Sequence, residues 1–99
     1  MTIDLNRLPK GWRAMAQELL GKAQREFRGI VFTDISANPG GWLSIDFDKH
    51  SVALEHNWRA LKMAEGYSSM SWNVCSECGS HRAEQRPGHV FAICEACLS

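Results

Sequence analysis

The chain has 99 residues, enough for one domain that buries roughly two thirds of the surface its unfolded form exposes. Eleven Lys and Arg balance eleven Asp and Glu, hydrophobic residues make up 44% and charged residues 22%, values that exclude wholesale disorder. The longest apolar run, Val90-Phe91-Ala92-Ile93-Cys94, is far short of the ~20 residues a membrane span needs, and Met1-Thr2-Ile3-Asp4-Leu5-Asn6-Arg7 lacks the apolar stretch of a secretory signal, so the expectation is a cytoplasmic protein.

The first predicted element is a helix over 9–28. Trp12, Met15, Ala16, Leu19, Leu20, Ala23 and Phe27 form one apolar stripe at the 3.6-residue period. Pro9 suits the first turn, where its missing N–H costs nothing. Lys22, Arg25 and Arg28 favour the C-terminal end of the macrodipole, and Gly29 is a natural stop. Residues 1–28 carry a net charge of +3, against −2 over 29–66 and −1 over 67–99. The only basic face is therefore on this helix, formed by Lys10, Arg13, Lys22 and Arg25.

A β-hairpin follows. Residues 30–36 are rich in β-branched side chains, and the cluster Ala37-Asn38-Pro39-Gly40-Gly41 reads as a turn. Residues 42–47 then alternate, with Leu43, Ile45 and Phe47 on one face and Trp42, Ser44 and Asp46 on the other. A lone hairpin is marginal in water, so it must pack on helices. A second helix is predicted over 51–67, with Asp48 or Ser51 as its cap and Leu54, Trp58, Leu61 and Ala64 as its apolar stripe. Gly66 and Ser68-Ser69 mark its end. His50 and His56 read as surface histidines. The expected common core contains Leu19, Leu20, Phe27, Ile45, Phe47 and Leu61, together with Trp12 and Trp58.

The last third carries the chemistry. Cys75-Ser76-Glu77-Cys78-Gly79 and Cys94-Glu95-Ala96-Cys97 give the spacing C-x2-C-x15-C-x2-C, a zinc-ribbon pattern. Two residues between cysteines let a tight turn aim both sulfurs at one point, and two such knuckles supply a tetrahedron of thiolates about 2.3 Å from zinc. Gly79 suits the sharp turn after the first knuckle, and Pro87-Gly88 a turn in the connecting loop. Val74, Val90, Phe91 and Ile93 are expected in short ribbon strands. The metal ligands are thus read as Cys75, Cys78, Cys94 and Cys97, binding a structural Zn2+. Two disulfides would need an oxidising compartment. A dithiol redox centre would need a single CxxC at a helix start in a βαβ context. An iron site, or ligation by His81 or His89 in place of a cysteine, are further alternatives. Four thiolates leave no open position for catalytic zinc.

The overall expectation is an α+β protein: two helices packed on a β-hairpin over 1–69, and a four-cysteine ribbon over 70–99 packed on that core as one domain. The last 30 residues hold too few apolar side chains for a core of their own and are expected to unfold without zinc.

The order of motifs runs from Gly11-Trp12 on the first helix through Gly40-Gly41-Trp42-Leu43 at the hairpin to Ala64-Glu65 with Ser68. It ends in Cys-x-x-Cys-Gly and a final Cys-x-x-Cys. In this order the chain resembles a group of small, uncharacterised bacterial and prophage proteins with a C-terminal zinc ribbon. It departs from that group in having Gly-Gly-Trp-Leu where a more basic strand stands. The resemblance implies a fold and a phage or mobile-element setting, with an accessory or anti-defence role, and implies no catalytic activity.

Functionally, the sequence points to stoichiometric binding of a protein partner. Of four tryptophans, Trp42 and Trp72 are the candidate anchors, since aromatic residues are favoured at interfaces. The alternative is a nucleic-acid-binding ribbon, for which only Arg82 and Arg86 are available, opposed by Glu77, Glu84 and Glu95. No nucleophile–base pair or phosphate loop stands out, and Asp34, Asp46 and Asp48 near the hairpin read as solubilising. The expectation is therefore no enzyme, no small-molecule substrate and no membrane partner.

Overall fold

Pro9 cannot donate a helical hydrogen bond, and its carbonyl accepts the Trp12 N–H at 2.9 Å, which winds Lys10–Trp12 into a 3-10 turn. The helix proper, α1, then runs Arg13–Glu26 in the computed structural model, which describes residues 3–98. It ends where the Phe27 N–H bonds back to the Ala23 carbonyl and Gly29 takes a φ of 85°. The stripe read from the sequence is the buried one: Trp12, Met15, Ala16, Leu19, Ala23 and Phe27 are inside, with Leu20 half-buried against them.

Strands β1 (Phe32–Ala37) and β2 (Leu43–Phe47) pair antiparallel, Ile35 opposite Ile45 and Ala37 opposite Leu43. The register slips between Phe32 and Asp34. This β-bulge has a packing consequence. Residues three apart on a regular strand face opposite sides. Here Phe32 and Ile35 are both buried, while Thr33 and Asp34 between them are exposed. Asn38 organises the turn, accepting the Gly40 N–H at its side-chain oxygen and the Gly41 N–H at its carbonyl.

Helix α2 runs Asn57–Met70, later at both ends than the sequence predicts. Asp48 caps a 3-10 turn, Lys49–Ser51, and not α2, while the Ser51 hydroxyl accepts the Val31 N–H at 2.9 Å. The helix then passes straight through Gly66 and Ser68-Ser69. It is held there by tertiary bonds: the Ser68 hydroxyl donates to the Leu43 carbonyl, and the Leu43 N–H donates to the Ser71 hydroxyl at 2.8 Å. Ser71 is fully buried with its hydrogen bonds made, so it clips the end of α2 to the start of β2.

The buried face of α2 corrects the sequence reading. Ala60, Ala64 and Tyr67 are buried, and Met63 and Met70 pack half-buried on the core. Leu54 is 90% exposed, Trp58 68% and Leu61 44%. Of the predicted stripe only Ala64 is inside, and the expected core residues Trp58 and Leu61 face solvent. The reason is steric. Small alanines at 60 and 64 let α2 lie close on the hairpin, where bulky side chains would hold it off. Two helices and two strands also form too few layers to cover a third side of α2; the molecule measures 46 × 23 × 21 Å.

The C-terminal segment also departs from expectation. Among the described residues it contains no ribbon strand, only one bridge in which Glu84 and Ile93 exchange backbone hydrogen bonds at 3.3 and 3.1 Å. Val74 joins the main core, Val90 is 56% exposed, and Ile93 is buried in a second, smaller cluster. Turns and knuckles, not a ladder, give this segment its path. No helix among the described residues is long and apolar enough to cross a membrane.

Candidate metal centre

Two knuckles bring the four cysteines together. In the first, the Gly79 N–H returns to the Cys75 carbonyl at 2.9 Å, and Gly79 has a φ of 82°, a conformation side chains resist. In the second, a 3-10 turn over Glu95–Cys97 closes with the Cys97 N–H on the Cys94 carbonyl at 3.1 Å. The knuckles are tied to each other by the Ser76 N–H, which donates to the Ala92 carbonyl at 2.9 Å.

The sulfurs of Cys75, Cys78, Cys94 and Cys97 all lie within 4.8 Å of one another, and Cys78 Sγ and Cys94 Sγ are 3.5 Å apart. A tetrahedron of sulfurs about 2.3 Å from a central zinc has edges of roughly 3.8 Å, so the donor set fits such an ion. All four are free thiols, and 3.5 Å is far beyond a disulfide bond of about 2.05 Å. Cys75 and Cys94 are buried, Cys97 is half-buried and Cys78 is exposed. Among the described residues this is the only group of three or more His, Cys, Asp or Glu side chains placed to hold a metal ion. The group does not include His81 or His89, which are both exposed, and it does not include Asp34, Asp46 or Asp48.

The electrostatics of the cluster call for a cation. Burial opposes ionisation of Cys75, but the backbone N–H groups of Cys78, Cys94 and Glu77 overcome it and pull the thiol from its ordinary 9.0 to about 6. Two of these bonds are direct, from the Glu77 and Cys78 N–H groups to Cys75 Sγ at 3.4 and 3.5 Å. Two of the other thiols are shifted the opposite way. The Cys94 and Cys78 sulfurs push Cys97 up to about 12. Cys78 is also raised: the Ser80 backbone lowers it, but the Cys94 and Cys75 sulfurs prevail. Four sulfurs this close cannot all ionise without a positive charge among them.

The centre is docked onto the helical core by residues whose role the sequence reading missed. The Trp12 indole, fully buried, donates to the Val74 carbonyl at 2.8 Å, and its ring meets Phe91 edge-on at 5.1 Å. The Gly11 N–H donates to the Ser76 carbonyl at 2.8 Å. A Cβ on Gly11 would stand 2.0 Å from the Cys75 carbonyl oxygen and 2.6 Å from the Gly79 nitrogen. Only a glycine lets the start of α1 press this closely on the first knuckle. The Gly11-Trp12 pair was visible in the sequence, but its partner lies more than 60 residues away, and no local pattern announces it. Trp42 and Trp72 lie with ring centroids 5.7 Å apart, Trp42 half-buried and Trp72 37% exposed.

The chain matches no protein-family model, no curated protein and no solved structure.

Proposed function

We propose that the protein is a non-enzymatic binder that engages a protein partner stoichiometrically, with a structural zinc ion as its internal staple. The observation that carries this reading is the complete set of four sulfurs at Cys75, Cys78, Cys94 and Cys97, close enough to share one ion. Zinc suits a tetrahedral four-thiolate shell, and four protein ligands leave no position for water or substrate. The metal then serves architecture: it joins the knuckles that Gly11 and Trp12 dock onto α1. The Trp42–Trp72 pair supports the partner reading, since paired, partly exposed aromatic rings supply large apolar area with few rotatable bonds. The resemblance to small prophage proteins favours a partner from a host or its defence systems.

Nucleic-acid binding is the second reading. It rests on Arg82 and Arg86, which with Ser80 border a cleft beside Cys94. Arg86 is already engaged, with Glu84 at 3.3 Å and the Ile93 carbonyl at 3.2 Å, which weighs against it. The test is a tagged pull-down with and without nuclease, beside Cys78→Ser and Trp72→Ala variants, with zinc counted by native mass spectrometry. The expected result is one zinc per chain and a nuclease-resistant partner lost in Trp72→Ala. Nucleic acid captured with an affinity that drops steeply between about 50 and 200 mM salt would favour the second reading instead.

A further inference from the structure

The apolar stripe that α2 fails to bury remains a stripe. Leu54, Trp58 and Leu61 are spaced by four and three residues, so they line one side of the helix and of the 3-10 turn, Leu54–His56, that leads into it. All three face solvent, at 90%, 68% and 44% exposure. The charges beside them are ordered. Glu55 follows Leu54 and Lys62 follows Leu61, so an acid and a base sit on the same flank at opposite ends of the stripe. Both are open to solvent, with 80% of the Glu55 side chain and 55% of the Lys62 side chain exposed; Lys62 Nζ lies 3.5 Å from Glu65 Oε2 and Glu55 Oε1 4.0 Å from His56 Nε2, exposed pairs worth little that a partner copy can displace. Lys62 Nζ lies 5.4 Å over the Trp58 ring, so its ammonium already borders the stripe.

We propose that this face of α2 pairs antiparallel with the same face of a second copy of this chain. The order acid, tryptophan, base is complementary to its own reverse. A two-fold axis at Trp58 sets Trp58 against its counterpart and Leu54 of each copy against Leu61 of the other. It also sets Glu55 of each copy against Lys62 of the other, twice. This is the self-matching contact that a two-fold dimer requires. A parallel two-fold pair would instead put the Glu55–Lys62 flanks on opposite sides of the seam, with no acid–base pairing between the copies. The second copy is thus the occupant that the charge order selects. The surface is distinct from the Trp42–Trp72 pair, so the inference stands apart from the partner reading above.

The area is that of a small contact. The three side chains expose on the order of 400 Å² per copy, the size of a functional patch on a monomer. A standard stable interface takes about 800 Å² per partner. An interface half that size belongs with weak, transient contacts, so the dimer is reversible and is sought from about 1 μM to 1 mM.

Sedimentation of the full, metal-loaded chain across that concentration range tests it. The expected result is a shift from the 11.1 kDa monomer to a dimer as concentration rises. Trp58→Ala should raise the midpoint about tenfold or more, in line with loss of a central aromatic anchor. Glu55→Lys and Lys62→Glu should each weaken the dimer several-fold, and the double variant E55K/K62E should restore it. All three substituted positions are exposed, and unchanged circular dichroism in the dilute variants separates lost association from lost folding. A chain that stays monomeric throughout overturns the proposal, as does a dimer indifferent to Trp58→Ala. A double variant no better than the singles overturns the antiparallel register.

Discussion

Up to Met70 the core is built on large apolar side chains, among them Trp12, Leu19, Phe27, Phe32, Ile35 and Leu43, with alanines where elements approach closely. From Cys75 onward the buried residues are Cys75, Ser76, Ala83, Ala92, Ile93 and Cys94, mostly small side chains with a single large aliphatic one. The first region can stand on hydrophobic burial. The second has one bridge, one isoleucine and a set of thiols that repel one another once ionised. A structural zinc contributes on the order of 10–16 kcal/mol apparent in finger peptides, as much as a whole domain's stability of about 5–15 kcal/mol. The contrast shows how a short chain spends its apolar residues on one core and leaves the rest of its fold to a metal.

Removing the metal is the strongest way to break that contrast. With a chelator, amide protection over 74–98 should collapse while α1 and β1–β2 keep theirs, as read by hydrogen exchange. Uniform loss of protection along the chain would mean the two regions form one cooperative unit. Acid should act on the same lever. Cys75 is held at about 6 from an ordinary 9.0, so its contribution is present above 9.0 and is lost as pH falls through about 6. The unfolded chain also binds four thiol protons that the metal-loaded form lacks, so stability must fall with pH. Zinc release followed by a colorimetric chelator should therefore rise steeply between about pH 7 and 5.

Two substitutions probe the seam. Trp12→Ala empties a fully buried site shared by both regions, and thermal unfolding should show a loss of about 3–5 kcal/mol. Gly11→Ala forces a methyl into the Cys75 carbonyl, at a cost of about 1–3 kcal/mol. It should leave zinc stoichiometry intact while weakening the docking of the knuckle, so the two unfolding transitions separate. At the other extreme, Leu54→Ser changes a side chain that touches little. Below the association range its melting curve should match the wild type within about 0.5 kcal/mol.

The cysteine spacing pointed to the four side chains that the structure gathers, because each C-x2-C knuckle is a local turn, but the bond from Ser76 to Ala92 that ties the two knuckles together is not local. Helix α1 was equally legible, since one wide stripe and its punctuation by Pro9 and Gly29 point the same way. Helix α2 was misread because its sequence offers two competing faces. Periodicity favours the one with Leu54, Trp58 and Leu61, and hydrophobicity alone ranks tryptophan and leucine above alanine. Close packing on the hairpin reverses that ranking, since Ala60 and Ala64 allow an approach that large side chains forbid.

What the sequence by itself determined is therefore the local chemistry: an α+β composition, one amphipathic helix, a hairpin turn and four cysteines spaced to share an ion. Tertiary structure alone decided the rest. The bulge puts Phe32 and Ile35 on one face, Ser68 and Ser71 clip α2 to β2, and Gly11 admits the first knuckle. Each of these depends on a backbone group many residues distant, and an unpaired buried N–H or C=O costs enough to choose its partner only once the chain has closed around it.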